Sequence, residues 1–141
     1  MQAILELWPR RGLTTEPMNL KIHSIQHRGD KSKECMVLEA LEDCDLSDYA
    51  VVDTACTPEG ELNSWRHFHW FKSQRIRKGD YIVLRTRKGN DRARNSIHMV
   101  SKLANKTYER HWNADSAIWS DGGEHAALLH LTWADSRKMS A

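Results

Sequence analysis

The chain has 141 residues and a formal net charge of +2, which fits a single domain and argues against a wholly electrostatic partner. Its 40% hydrophobic and 28% charged residues are typical of a globular protein that folds without disulfides. Three cysteines with no CxxC pair argue against a disulfide framework or a cysteine-based zinc site, and without a secretory signal or a membrane-length apolar run we expect a cytoplasmic protein.

The chain divides into an N-terminal arm at residues 1–19, a domain at 20–133 and a C-terminal tail at 134–141. Two prolines and a glycine interrupt the arm, whereas short alternating apolar stretches begin at Leu20. The predicted strands, in chain order, are Leu20–His27, Cys35–Leu41, Tyr49–Val52, Trp65–Phe71, Tyr81–Thr86, Tyr108–Trp112, Ala117–Trp119 and Glu124–Leu131.

The segments between these strands carry the signals of turns and loops. We predict turns at 28–33, 43–47 and 57–60, where glycine, proline, aspartate and serine are frequent. A polar, basic loop is predicted at 88–95, and residues 96–106 fit either a short helix or an irregular connection. Strands this short, with turn signals about every ten residues, are typical of an all-β sandwich or barrel.

Three short sequence segments, which we call phrases, each combine a predicted turn with the strand that follows it. They are DLSDYAVVD at 45–53, KGDYIVLR at 78–85 and IWSDGGEHAALL at 118–129. The single glycine of the second phrase suits a tight turn, and the glycine pair of the third suits a hairpin-like turn. With the aromatic strand RHFHW at 66–70 between the first two, the series resembles the lamin tail domain over residues 20–132.

The resemblance implies an immunoglobulin-like β-sandwich with no catalytic apparatus. In that family the domain is a binding module, which contacts chromatin, DNA or proteins in nuclear lamins and is appended to nucleases and hydrolases in bacteria and archaea. The chain departs from the family at Asp48 and Tyr49, where Gly and Trp are frequent, and at 131–133, where the usual last turn and strand are altered. Open sheet edges in such a sandwich lead us to expect self-association through strand pairing.

Charge is segregated along the domain. Residues 34–61 hold nine acids and no Lys or Arg, whereas residues 75–94 hold eight basic residues and two acids. A basic surface of this kind is suited to phosphates or to an acidic protein surface, and the acidic half of another copy would also complement it. The simpler interpretation is a solvated loop paired with acids of the same domain. The candidate binding residues are Arg75, Arg77, Lys78, Arg85, Arg87, Lys88, Arg92 and Arg94.

A second candidate site is the pair His67 and His69, which share one face of a predicted strand because side chains alternate along a strand. Two such imidazoles are metal ligands in many proteins, but a site needs at least a third ligand. The third-ligand candidates are His98, His111 and His125. The simpler interpretation is a pair of surface histidines above two core aromatics, Phe68 and Trp70.

Six tryptophans are a high number for a chain of this length. We assign Trp70 and Trp119 to the core. We expect at least one of the remaining tryptophans to be exposed beside the basic residues, as is common at protein contacts. Those tryptophans are Trp8, Trp65, Trp112 and Trp133.

The sequence therefore predicts an all-β binding protein without catalytic activity and without a cofactor. We expect a protein partner that contacts the basic 75–94 region, with nucleic acid at the same residues as the first alternative. The second alternative is a metal-dependent hydrolase or nuclease that uses His67 and His69. No nucleophile elbow, P-loop or dinucleotide-binding motif is present to suggest another chemistry.

Overall fold

A computed structural model of the chain describes residues 18–56, 62–95, 105–119 and 124–132, with side chains described at 18–54, 67–95, 105–119 and 125–132. The described part is built from strands and one 3-10 turn at Leu46–Asp48. The strands are β1 (Leu20–Gln26), β2 (Cys35–Ala40), β3 (Cys44–Asp45), β4 (Tyr49–Cys56), β5 (Leu62–Trp70), β6 (Arg75–Ile76), β7 (Tyr81–Arg85), β8 (Arg92–Asn95), β9 (Lys106–His111) and β10 (Glu124–His130).

The strands form two principal sheets. The large sheet has the order β1-β2-β7-β9-β8, and the small sheet has the order β10-β4-β5. β7 and β9 are parallel, whereas the other paired strands of both sheets are antiparallel. A short ribbon of β3 and β6 lies beside the 3-10 turn. The prediction of an all-β fold is confirmed.

The core lies between the inner faces of the two sheets. The large sheet contributes alternate residues such as Met36, Leu38 and Ile82, and the small sheet contributes Tyr49 and Val51. All five are at most 1% exposed. Each fully buried side chain of this size contributes about 1.5–3 kcal/mol through the hydrophobic effect, so the sandwich is held together chiefly by this layer.

The segment Ala117–Trp119 is not a strand, contrary to the prediction. The carboxylate of Glu34 accepts hydrogen bonds from the backbone amides of Ile118 (2.8 Å) and Trp119 (3.1 Å). It also accepts one from the Thr86 hydroxyl at 2.6 Å. A buried side chain thus takes the place of a neighbouring strand, and it fixes Ile118 and Trp119 in the core without sheet pairing.

The predicted loop at 88–95 is partly wrong, because Arg92–Asn95 form β8. All four residues are exposed, so no apolar alternation marks them as a strand. β8 is held by pairing with β9 at the edge of the large sheet, and short, charged strands are common at such edges. The two-residue strands β3 and β6 were also not predicted.

Several predictions lie outside the described residues. These are most of the N-terminal arm (1–17), the turns at 57–60 and 120–123, the connection at 96–104 and the tail. In the part of the chain that is described, no helix has the length and hydrophobicity needed to cross a membrane.

Candidate functional site

The two faces of β5 are the reverse of those predicted from the sequence. Phe68 and Trp70 are 46% and 50% exposed on the outer face of the small sheet, whereas His67 and His69 contact Trp112 on the inner face, although 44% of the His67 side chain is exposed. The prediction that Phe68 and Trp70 are core residues is therefore wrong. The prediction for Trp119 is confirmed, since Trp119 is 2% exposed.

A buried carboxylate accounts for the position of His67. Asp53 is opposite His67 in the β4–β5 register, and the Asp53 side chain has no exposed surface. The Nδ1 atom of His67 lies 2.9 Å from Oδ2 of Asp53. A hydrogen bond from the imidazole compensates part of the cost of taking the Asp53 carboxylate out of water. The histidine thus lies on the inner face because its partner there is polar.

His69 is a packed aromatic rather than a surface group. Its ring meets Phe71 edge-on at 5.0 Å between centroids and Trp112 at 5.4 Å. Burial lowers the pKa of His69, and the charge of Asp91 opposes that shift only in part. His69 is therefore more readily neutral than an exposed histidine.

The predicted third ligands do not join this pair. His111 lies on the outer face of the large sheet, opposite Arg85 in the register, and His125 is exposed on β10. His98 lies outside the described residues. Among the residues that the structure describes, no group of three or more His, Cys, Asp or Glu side chains is arranged to hold a metal ion.

The eight predicted basic residues fall into two groups at opposite ends of β7. Arg75, Arg77 and Lys78 precede the strand and lie beside the acidic turn. Asp45 is opposite Arg75 in the register, and the Lys78 amide donates to Asp43 at 2.9 Å. Lys78 Nζ lies 3.9 Å from Glu42, which agrees with the simpler interpretation for that residue, whereas Arg75 and Arg77 line a separate cavity with Asp80 and Lys106.

Three residues of the second group surround Glu109 on the outer face of the large sheet. Arg85 Nε, Arg92 Nη2 and Arg94 Nε lie 3.5, 3.2 and 3.2 Å from the Glu109 carboxylate. Burial alone would raise the pKa of Glu109, but the Arg92 hydrogen bond and the three positive charges outweigh it and lower the pKa. The cluster therefore keeps one negative charge among three positive charges at neutral pH.

A groove of about 380 Å³ lies next to this cluster on the same face. Its basic lining comes from three parts of the chain: Lys33 in the turn before β2, Arg85 and Arg87 at the end of β7, and Arg94 on β8. The lining also includes Val37 and Val83. None of the described lining residues is an acid. We call this surface the basic groove.

The two remaining predicted residues lie to one side of the basic groove. Lys88 and Arg92 line a neighbouring cavity formed by the 87–92 loop. The Nζ atom of Lys88 is 3.2 Å from an Asp115 oxygen. Of the eight candidates, the structure therefore brings Arg85, Arg87 and Arg94 together in the groove.

Sequence reasoning missed two charged residues of this site, Lys33 and Glu109, besides the uncharged lining. Lys33 is distant in sequence and reaches the groove only because β2 pairs with β7. Glu109 is a single acid in a short polar strand, and nothing in its neighbours indicates that it faces three arginines. The run of basic residues at 75–94 was the one available signal, and it located three of the residues that line the groove.

The exposed large aromatics that the structure describes are not beside the basic groove, and the expectation of an exposed tryptophan there is untested for three of its four candidates. Phe68 and Trp70 lie on the outer face of the small sheet, and the basic groove lies on the outer face of the large sheet. Trp112 is half-buried between the sheets, where it meets Trp119 edge-on at 5.6 Å. The side chains of the other three candidate tryptophans lie outside the described set.

Comparison of the chain with models of protein families found no match, and comparison with curated proteins found none either.

Proposed function

We propose that this protein is a non-catalytic binding module, and that its basic groove holds an acidic segment of a protein partner. The observation that carries the proposal is the convergence of Lys33, Arg85, Arg87 and Arg94 on one groove whose described lining contains no acid. Guanidinium groups form bidentate hydrogen bonds with carboxylates, which suits such a segment.

The composition of the groove favours a protein partner over nucleic acid. The lining residues Val37 and Val83 offer apolar contact to a side chain. The described lining contains no Phe, Tyr or Trp, the strongest stacking partners of an unpaired base, although His27 is present. Four positive side chains in one compact groove also neutralise fewer phosphates than the extended basic surfaces of strong DNA-binding proteins.

The ordered phrases at 45–53, 78–85 and 118–129 support the further proposal that the module is of the lamin tail type, with an immunoglobulin-like arrangement of strands. Such a domain acts through its surfaces and needs no catalytic residue, which agrees with a function centred on the groove.

Fluorescence anisotropy tests the proposal with two labelled probes, an octaglutamate peptide and a DNA duplex, over a series of salt concentrations. We expect the peptide to bind and the double variant Arg87→Gln/Arg94→Gln to weaken its binding at least tenfold. The matched control, Arg75→Gln/Arg77→Gln, removes the same charge at the other end of β7 and should leave binding within twofold.

Two outcomes would contradict the proposal. Binding of the duplex alone, with a steep salt dependence that the groove variant abolishes, would assign the groove to nucleic acid. Equal losses in the groove variant and in the control would show that net charge, and not the groove, determines binding.

A further inference from the structure

We infer that the basic groove recognises a phosphate monoester, so that the acidic segment of the partner is a phosphorylated serine or threonine. This inference rests on the proposed function and adds the chemical class of the ligand. It follows from the number of cationic groups that line one groove and from the way in which Glu109 holds two of them.

The first observation is the concentration of charge. Three arginines and one lysine line an open groove of about 380 Å³. A carboxylate brings a single negative charge to such a site, whereas a phosphate monoester brings about −1.5 to −2 and three acceptor oxygens. The dianion therefore compensates the lining better.

The second observation is the way in which Glu109 holds two of the arginines. Arg85 and Arg94 both meet the Glu109 carboxylate through Nε, at 3.5 and 3.2 Å. Each guanidinium group carries four further N–H donors on its two Nη atoms. Because the Nε contacts hold the groups in place before a ligand arrives, the Nη donors are available to a phosphate at a reduced entropic cost.

The third observation is the origin of the cations in separate parts of the fold. Lys33 lies beside Arg87, since Cys35 is opposite Arg85 in the β2–β7 register and Arg87 Nη1 donates to the Ser32 carbonyl at 3.4 Å, whereas Arg94 comes from β8. The four positive side chains thus come from three segments of the chain and line one groove. A single terminal phosphate fits that arrangement, whereas a nucleic acid backbone presents a row of monoanionic diesters.

Three fluorescein-labelled peptides of one Gly-Ser-rich sequence test the inference, with phosphoserine, glutamate or serine at the central position. We expect the phosphoserine peptide to bind the full-length protein at least tenfold more tightly than the glutamate peptide, and the serine peptide not to bind. Arg94→Gln should weaken phosphopeptide binding at least tenfold, whereas Arg75→Gln should leave it within twofold. Circular dichroism establishes that both variants are folded.

The outcomes separate this inference from the proposed function. Equal binding of the glutamate and phosphoserine peptides would overturn the phosphate inference and leave the proposed function in place. Failure of both peptides and of octaglutamate to bind would overturn both proposals. Tighter binding of a single-stranded oligonucleotide, lost in Arg94→Gln, would overturn the monoester and assign the groove to phosphodiesters.

Discussion

The Nε atom of Arg94 lies 3.2 Å from Oε1 of Glu109, whose side chain is 3% exposed. Arg92 reaches the same oxygen at 3.2 Å, and Arg85 reaches the second oxygen at 3.5 Å. One buried carboxylate therefore holds three guanidinium groups from two strands. This arrangement links the stability of the large sheet to the charge of its outer face.

Removal of the Glu109 charge should destabilise the fold, and the size of the loss should depend on which anion is in solution. In Glu109→Gln three like charges lie close together without a carboxylate, and we expect a loss of about 1–3 kcal/mol, reduced from the value for a fully buried pair because the arginines are partly exposed. Thermal unfolding in phosphate should recover part of this loss relative to chloride of equal ionic strength. The same loss in both salts would contradict repulsion as the cause.

Glu34 should make the stability of the domain depend on pH. Burial alone would raise the pKa of Glu34, but hydrogen bonds from Thr86, Ile118, Gly29 and Trp119 outweigh it and lower the pKa below the ordinary 4.5. The carboxylate therefore stabilises the fold above about pH 4.5, and this contribution is lost as the pH falls through the lower, folded-state pKa. We expect Glu34→Gln to lower the free energy of unfolding by about 1.5–3 kcal/mol at pH 7. The variant should also lose less stability than the wild type as the pH falls.

Urea unfolding between pH 3 and pH 7 measures both effects. Glu42→Gln is the matched control, since the Glu42 side chain is 62% exposed and 3.9 Å from Lys78 Nζ. That change should stay within about 0.5 kcal/mol. If the two variants showed the same acid dependence, Glu34 would not be its source.

Gly89 should not tolerate a side chain. A Cβ atom there would lie 2.5 Å from Cδ2 and Nε2 of the His111 ring. His111 is 6% exposed, and its Nδ1 atom lies 3.2 Å from Asp91, so the ring has little room to move. We expect Gly89→Ala to cost about 1–3 kcal/mol through overpacking. Thermal denaturation measures this cost. The control is Lys88→Ala, which changes the adjacent residue in the same loop. Equal melting temperatures of the two variants would refute the clash.

The Cys44 thiol should be unreactive in the folded protein. Burial, with the charges of Asp48 and Asp45, raises the pKa of Cys44 to about 11 from an ordinary 9.0, which lowers the thiolate fraction about 100-fold at neutral pH. Iodoacetamide labelling at pH 8, followed by mass spectrometry of the Cys44 peptide, should be at least tenfold faster in denaturant. Comparable rates in both conditions would show that the thiol is accessible in the folded state.

Two phenylalanines test the orientation of β5. Phe71 is 3% exposed and Phe68 is 46% exposed. We expect Phe71→Ala to cost about 3–5 kcal/mol because it leaves a cavity in the core, and Phe68→Ala to cost less than about 1 kcal/mol. Guanidinium unfolding compares the two identical truncations. The reverse order would mean that β5 presents its other face to the core.

The all-β architecture could be predicted from the sequence because short apolar stretches and turn residues are local signals. The strands around Leu38, Val51 and Ile82 were located in this way, since each carries apolar residues at consecutive or alternating positions. β8 was missed because Arg92 and Arg94 lie on an edge strand that buries neither face. Pairing with β9, and not composition, makes that segment a strand.

The composition of the basic groove was predictable only in part. The charge run contained Arg85, Arg87 and Arg94, but it gave equal weight to Arg75, which lies beside acids of the turn. The orientation of β5 could not be predicted from the sequence either. Aromatic residues and histidines alternate in this strand, and the greater hydrophobicity of the aromatic pair favours the wrong face as the buried one. The buried partner of His67 is Asp53, which lies on another strand.

The sequence by itself determined that this is a β-strand protein with segregated charge, because periodicity and composition act over a few residues. Only the tertiary structure decided which charges converge and which are neutralised. Pairing of β2 with β7 brings Lys33 to the groove, and pairing of β9 with β7 and β8 places Glu109 among the arginines. The physical reason is that electrostatic interactions depend on distance through space, and strand pairing sets that distance between residues far apart in the chain.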